Sequence, residues 1–393
     1  MNIRNLVPAL AIVTLTSTAG FAADTAPAVT WSGWVDSVLA YSDDDTKDIA
    51  GGKDTAAGSL RFTGAASLKA GIKVTDKLNA KINLWFDPGT NAVNMREAYW
   101  TWALNDTVSW TMGKYINANG LISAEPTGST FLFVNASLIG FTQTYGNDVL
   151  GTSLNIKPKD SPIYGSVHVT NGYYTGSDAN SVGYSSPANA GRENTDLGLG
   201  LDVIFDLPNG LGSVNAELAY DMHSGSSLYD TLYSTPSTAT PKTLNNGLGG
   251  DVLMVGLNAI VKPVKILTLG GEVQYMTLSD SETGAGVSVK DGVDRLQFLL
   301  MANVAIEAAP VPMSVTGMVQ YIQQDYNFAN AETENRFGIT AALLTNPLTT
   351  EKFGLNFEVG YFDKTSVAGI KDNGNNGADV SGVVVSVEGL LSF

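Results

Sequence analysis

The sequence predicts an all-β chain: a transmembrane antiparallel β-barrel of about sixteen strands whose third loop folds inward. Three observations carry this. Segments of strict apolar/polar alternation recur along the chain, the period of two that belongs to a strand. The connections between them alternate between short and mostly long. No stretch offers the roughly 18 uninterrupted apolar residues of a spanning helix; the nearest, "VLMVGLNAIVKPVKILTL", is broken by Lys262, Pro263 and Lys265. A chain that enters lipid without helices must pair every backbone group between strands, which requires a closed barrel.

Taken in order, the chain opens on "MNIRNLVPALAIVTLTSTAGFAADT". Arg4, a short apolar stretch, and Gly20 and Ala22 at the −3 and −1 positions read as an export signal cleaved after residue 22, leaving 23–393 as one barrel domain. The first strand is expected over 29–41, followed by an acidic loop over 42–58. The next segment, "LRFTGAASLKAGIKV", is the clearest strand. Leu60, Phe62, Gly64, Ala66, Leu68, Ala70, Ile72 and Val74 share one face, and Arg61, Thr63, Ser67, Lys69 and Lys73 the other. "TDK" then turns the chain into "LNAKINLWFD", completing a tight hairpin with one lipid-compatible face.

Further strands are expected at 95–103, 108–115, 148–156, 163–170, 194–205, 211–221, 250–261, 265–276, 294–306, 313–324, 335–344, 353–362 and 380–393. Short connections such as "NDT", "KPKDSP" and "DLPNG" alternate with longer Gly/Ser/Asn/Asp-rich ones, as turns and loops do on the two sides of an outer-membrane barrel. Counting forward from Val29 and backward from the C-terminus agrees only if 116–147 is a single loop. That loop carries Phe131, Phe133, Val134, Leu138 and Ile139, which need an apolar surface to pack against, so the barrel interior is the expected place. The last strand, "GVVVSVEGLLSF", alternates to its final residue, with Leu391 and Phe393 on the apolar face.

Composition excludes several functions. With no cysteine there is no disulfide scaffold and no thiolate metal site; 15% charged residues is low against about 25% for soluble proteins. A net charge of −16 lacks the basic footprint of nucleic-acid binding. The two histidines, His168 and His223, form no recognisable catalytic or metal-binding grouping, so no enzymatic activity, cofactor or metal is expected.

In its export signal, strand count, inward third loop and terminal Phe393, the chain resembles bacterial outer-membrane general porins. The resemblance implies a water-filled channel in the outer membrane for passive diffusion of small hydrophilic solutes and ions. It further implies a homotrimer among lipid and lipopolysaccharide, and a terminal strand read by the barrel-assembly machinery through Phe393 and Leu391, although Gly389 departs from the usual pattern. It implies too that an acidic stretch of the third loop, here Glu125, faces basic residues of the wall.

Alternation supplies those residues: Arg61, Lys69, Lys73 and Lys81 point inward from two adjacent strands. Asp36, Asp87, Glu97, Asp202, Glu217, Glu272 and Glu358 also point inward and outnumber them, so a modest cation preference is expected. Trp34, Trp85, Tyr99 and Tyr115 point inward beside carboxylates, as a sugar-conducting track would require. A saccharide-selective porin is therefore the alternative channel. A non-conducting surface barrel acting as adhesin or structural protein is the alternative outside transport. Trp100, Trp102 and Trp110 point outward, suited to an interfacial belt or a subunit contact. The carboxylates of the first loop, Asp43, Asp44, Asp45, Asp48 and Asp54, fit no defined calcium loop.

Overall fold

A computed structural model describes residues 27–48, 55–87, 92–116, 120–121, 148–170, 197–222, 251–278, 281–282, 288–289, 293–326, 333–348, 352–365 and 378–393. The expected export signal (1–22), Glu125, His223 and most of the third loop lie outside them.

Sixteen strands close into one antiparallel barrel in which each pairs with its neighbour in sequence. They are β1 (Ala28–Asp48), β2 (Thr55–Lys73), β3 (Leu78–Asp87), β4 (Ala92–Ala103), β5 (Val108–Ile116), β6 (Asp148–Ile156), β7 (Ile163–Thr170), β8 (Leu197–Leu207), β9 (Gly212–Met222), β10 (Val252–Val264) and β11 (Leu267–Leu278). After a two-stranded pair of β12 (Ser281–Glu282) and β13 (Ser288–Val289) that stands apart from the barrel, β14 (Val293–Ala305), β15 (Met313–Tyr326), β16 (Glu334–Thr345), β17 (Phe353–Thr365) and β18 (Ala378–Ser392) complete the wall.

Closure is made by the chain ends. Pairs from Trp34↔Ser392 to Asp48↔Ala378 join β1 to β18, and Gly33 and Phe393 exchange two backbone hydrogen bonds of 3.0 Å. Glycine is required there, because a Cβ on residue 33 would stand 2.3 Å from the Ser67 carbonyl oxygen and 2.6 Å from the Phe393 ring. The ring itself is 54% exposed on the outer face, where it extends the lipid-facing stripe.

Two expectations about the elements need correction. The acidic segment 43–48 is strand, not loop: Asp43 pairs with Gly58 on one side and Val383 on the other. Ladder hydrogen bonds from two neighbours outweigh the weak strand preference of aspartate. The fourth strand begins at Ala92 rather than 95. Alternation hides this start because the register shifts between Asn83 and Leu84: Asn83 pairs with Glu97, but Leu84 pairs with Met95. Arg96 is thus the extra residue of a β-bulge.

The wall is uneven. β1 and β2 have 21 and 19 residues, whereas β5, β6 and β7 have 9, 9 and 8. The inner face is uneven too. On β15, Thr316, Met318, Gln320, Ile322 and Gln324 are all buried. On β2 and β3, Lys69, Lys73, Asn79 and Lys81 retain contact with solvent.

Candidate functional site: the lumen wall

One charged part of the inner wall is built by β2, β3 and β4. Ser67 Oγ donates to Asn83 Oδ1 (2.6 Å), and Asn83 Nδ2 donates to Glu97 Oε2 (3.0 Å). Lys81 Nζ reaches both oxygens of Glu97, at 2.9 and 2.7 Å. The Glu97 side chain is 4% exposed and that of Lys81 32%. The carboxylate is therefore a buried anchor, and the ammonium is the part of the pair that meets water. Lys69 pairs with Asn83 and Gly71 with Lys81, so the two lysines are diagonal neighbours on one face.

The bulge adds a cation that alternation does not reveal. It turns Arg96 to the same side as Glu97 and sets its guanidinium 4.6 Å from the centre of the Trp85 ring. Next to the bulge, Lys114 Nζ caps the Met95 carbonyl at 2.9 Å.

Of the expected basic ladder, then, Lys69, Lys81 and Glu97 are brought together, while Arg61 and Lys73 stand apart. Lys73 is at the short-turn end, paired with Asp76 at 2.7 Å; its hydrogen bond to Asp76 holds that carboxyl below the usual carboxylate range. Arg61 is eight residues further along β2, about 26 Å of extended strand from Lys69.

The four inward aromatics form two pairs. Trp34 and Trp85 meet edge to face with ring centres 4.7 Å apart, and Trp34 is 1% exposed. Tyr99 and Tyr115 meet edge to face at 6.3 Å. Tyr115 is buried and its hydroxyl lies 3.0 Å from His168 Nδ1. Trp85 and Tyr99 stay half-buried. Trp85 bears Arg96 on its ring, and Lys81 Nζ lies 6.0 Å from the centre of Tyr99.

Several further inward carboxylates are almost entirely shielded, whereas Asp36 is half-buried. Glu217 accepts from Asn215 and Asn258, Glu388 from Asn356, and Glu272 from Gln274. Asp221 and Glu358 are also buried. Asp202 accepts from Ser166 Oγ at 2.9 Å and lies 2.6 Å from His168 Nε2. Ser166 Oγ is 2.8 Å from that same nitrogen. A serine activated by histidine and oriented by aspartate needs the serine and the carboxylate on opposite imidazole nitrogens. Here both lie on Nε2, and Nδ1 faces the Tyr115 hydroxyl. No metal-holding group of three or more His, Cys, Asp or Glu occurs among the described residues.

Among the described residues, Leu121 reaches across the barrel. The backbone N–H of Leu121, five residues beyond the end of β5, donates to Glu272 Oε2 on β11 at 2.9 Å. The Leu121 side chain is buried in an apolar cluster with Leu299, Met301, Met318, Ile322, Phe362 and Val384. These are inward residues of β14, β15, β17 and β18, and they offer the apolar surface that the third loop's composition calls for. Alternation conceals this cluster because the neighbouring outer faces are equally apolar.

No protein-family model matches the sequence, and no curated protein sequence is recognisably similar to it. Solved structures do match the fold. The outer-membrane channel DcaP of Acinetobacter baumannii superposes with a TM-score of 0.58 at 14% identity, over 95% of this chain and 100% of that one. The anion-selective porin from Comamonas acidovorans gives 0.55 at 15% identity, over 93% and 100%. Vibrio cholerae OmpT gives 0.53 at 10% identity, over 95% and 100%. The chain thus shares the sixteen-strand barrel fold of outer-membrane porins.

Proposed function

We propose that the protein is an outer-membrane channel that conducts small hydrophilic solutes passively. The observation that carries this reading is the pairing of a closed sixteen-stranded wall with a hydrated strip of charged side chains on β2–β4. A barrel of this strand number is wide enough to hold an aqueous channel, and a barrel devoted only to display has no need of solvated lysines on its inner wall. Export by a cleaved signal, assembly through Phe393 and Leu391, and association as a homotrimer in a lipopolysaccharide membrane belong to the same reading. The Trp100–Trp110 edge-to-face pair on the low wall suits such a subunit contact.

The third loop enters the lumen in this reading, supported by the seat of Leu121 against Glu272 and the apolar cluster. A channel rather than a catalyst is favoured by the geometry at His168. The sugar-track alternative is narrowed to Trp85 and Tyr99, since Trp34 and Tyr115 are buried. Of the inward carboxylates behind the expected cation preference, Glu97, Asp202, Glu217, Glu272 and Glu358 are buried, while Asp36 is half-buried. Reconstitution of the purified barrel in planar bilayers tests the proposal. Stepwise conductance that scales with bulk salt is expected; a barrel that inserts yet conducts nothing is the adhesin or structural alternative.

A further inference from the structure

We propose that Asp36 of β1 and Glu388 of β18 share a single proton, and that this proton clamps the seam where the barrel closes, so that the closed barrel is more stable in mildly acidic than in alkaline medium. The inference concerns closure and stands apart from the channel reading; a barrel that conducts nothing leaves it untouched.

Register brings the two acids together. Asp36 pairs with Leu390 and Val38 with Glu388, so the acids are diagonal neighbours across the closing strands. Both point inward, Glu388 at 4% exposure and Asp36 half-buried. Their carboxyl groups hydrogen-bond each other. An ionised carboxylate can only accept, so a hydrogen bond between two such groups requires that one carry a proton. Asn356 Nδ2 on β17 donates to Glu388 Oε2 at 2.6 Å, which suits Glu388 to accept and Asp36 to donate. The link therefore runs through three strands, β1, β18 and β17. Asp36 Oδ1 is buried and accepts no hydrogen bond among the described residues. That suits the carbonyl oxygen of a protonated carboxyl and would be costly for the second of two adjacent carboxylates.

The surroundings hold no substitute for the proton. Among the described residues no Lys or Arg contacts either carboxyl. On β2 the residues opposite Asp36 and Trp34 are the neutral Ala65 and Ser67. The inward cations of that strand, Arg61 and Lys69, each stand four residues from Ala65, about 13 Å of extended strand. Exposed charges are largely screened beyond about 8 Å at physiological salt. Arg96 has its guanidinium over Trp85. The other inward charge on β17 is Glu358, opposite Ser386, an acid that favours keeping the proton.

The direction of the pH effect follows from proton counting. By neutral pH these carboxyls in the unfolded chain have released their protons. A folded state that holds one more proton loses stability as pH rises, by up to about tenfold in the unfolding equilibrium per pH unit, until that proton leaves. Its departure sets two carboxylates against each other across β1 and β18. The half-buried Asp36 gives the proton its way out to water.

The test follows urea unfolding of the whole purified barrel by circular dichroism, at pH values from about 5 to about 9. The parent's urea midpoint is expected to fall as pH rises. Asp36→Asn gives Glu388 a permanent donor and is expected to flatten that fall, so that the ratio of parent to variant unfolding constants grows about tenfold or more across the range. Glu388→Gln, whose amide can donate to Asp36 and accept from Asn356, is a second variant with the same expectation. Asp43→Asn, at an exposed outward position, is expected to keep the parental dependence. Infrared difference spectra of the parent between mildly acidic and alkaline medium are expected to show a protonated-carboxyl band that alkali removes, which reads the proton directly should both variants fail to fold. A ratio independent of pH in a folded variant, or absence of that band, overturns the inference.

Discussion

Among individual residues, direction and depth are separate properties. Alternation correctly turned Glu97, Lys81, Trp34 and Trp85 inward, but it carries no information on whether an inward side chain meets water. Glu97 illustrates the difference, because its carboxylate faces the lumen yet is sealed by Lys81 and Asn83. Lys81→Met is expected to cost about 2 kcal/mol of barrel stability, since a charged hydrogen-bonded partner is removed from a buried carboxylate. Lys81→Met with Glu97→Leu is expected to recover most of that loss. Urea unfolding of the reconstituted barrel, followed by circular dichroism, measures both. Trp34→Ala removes a fully buried indole from its contact with Trp85 and is expected to cost about 3–5 kcal/mol in the same assay.

At the scale of elements, all sixteen barrel strands were legible because each shows the period of two across a lipid-facing stripe, interrupted in β4 by its bulge. Their ends were less so. Polar strand ends such as Asp43–Asp45 look like loop in sequence, and only pairing with both β2 and β18 makes them strand. The β4 bulge was illegible for a related reason: it is a property of two strands in register, and Arg96 entered the site only through it. Leu121, within the expected third loop, donates its backbone N–H to Glu272 on β11. Glu272→Ala removes the acceptor of the Leu121 N–H and is expected to increase current noise and the spread of single-channel conductances while the barrel stays folded. Unchanged single-channel records would show that this hydrogen bond does not steady the loop.

Across the whole molecule, the barrel has a shielded side and a wetted side. From β9 through β18 the inner face is largely closed by buried amides, methionines and hydrogen-bonded carboxylates, whereas β2–β4 hold the hydrated charges. Closure depends on the ends of the chain meeting at Gly33 and Phe393. Gly33→Val is expected to block barrel formation, seen as loss of the folded, heat-modifiable band on gels, because its side chain collides with the Ser67 carbonyl and the Phe393 ring. The absence of cysteine gives a clean background for locating the conducting path. A small negatively charged thiol reagent applied to single-cysteine channels tests the central claim most directly. Current through Lys69→Cys is expected to fall on modification, while Gln297→Cys and Gln320→Cys, on the shielded side, are expected to be unaffected. Rapid modification at 297 and 320 with none at 69 would place the conducting path along the opposite wall and contradict the account.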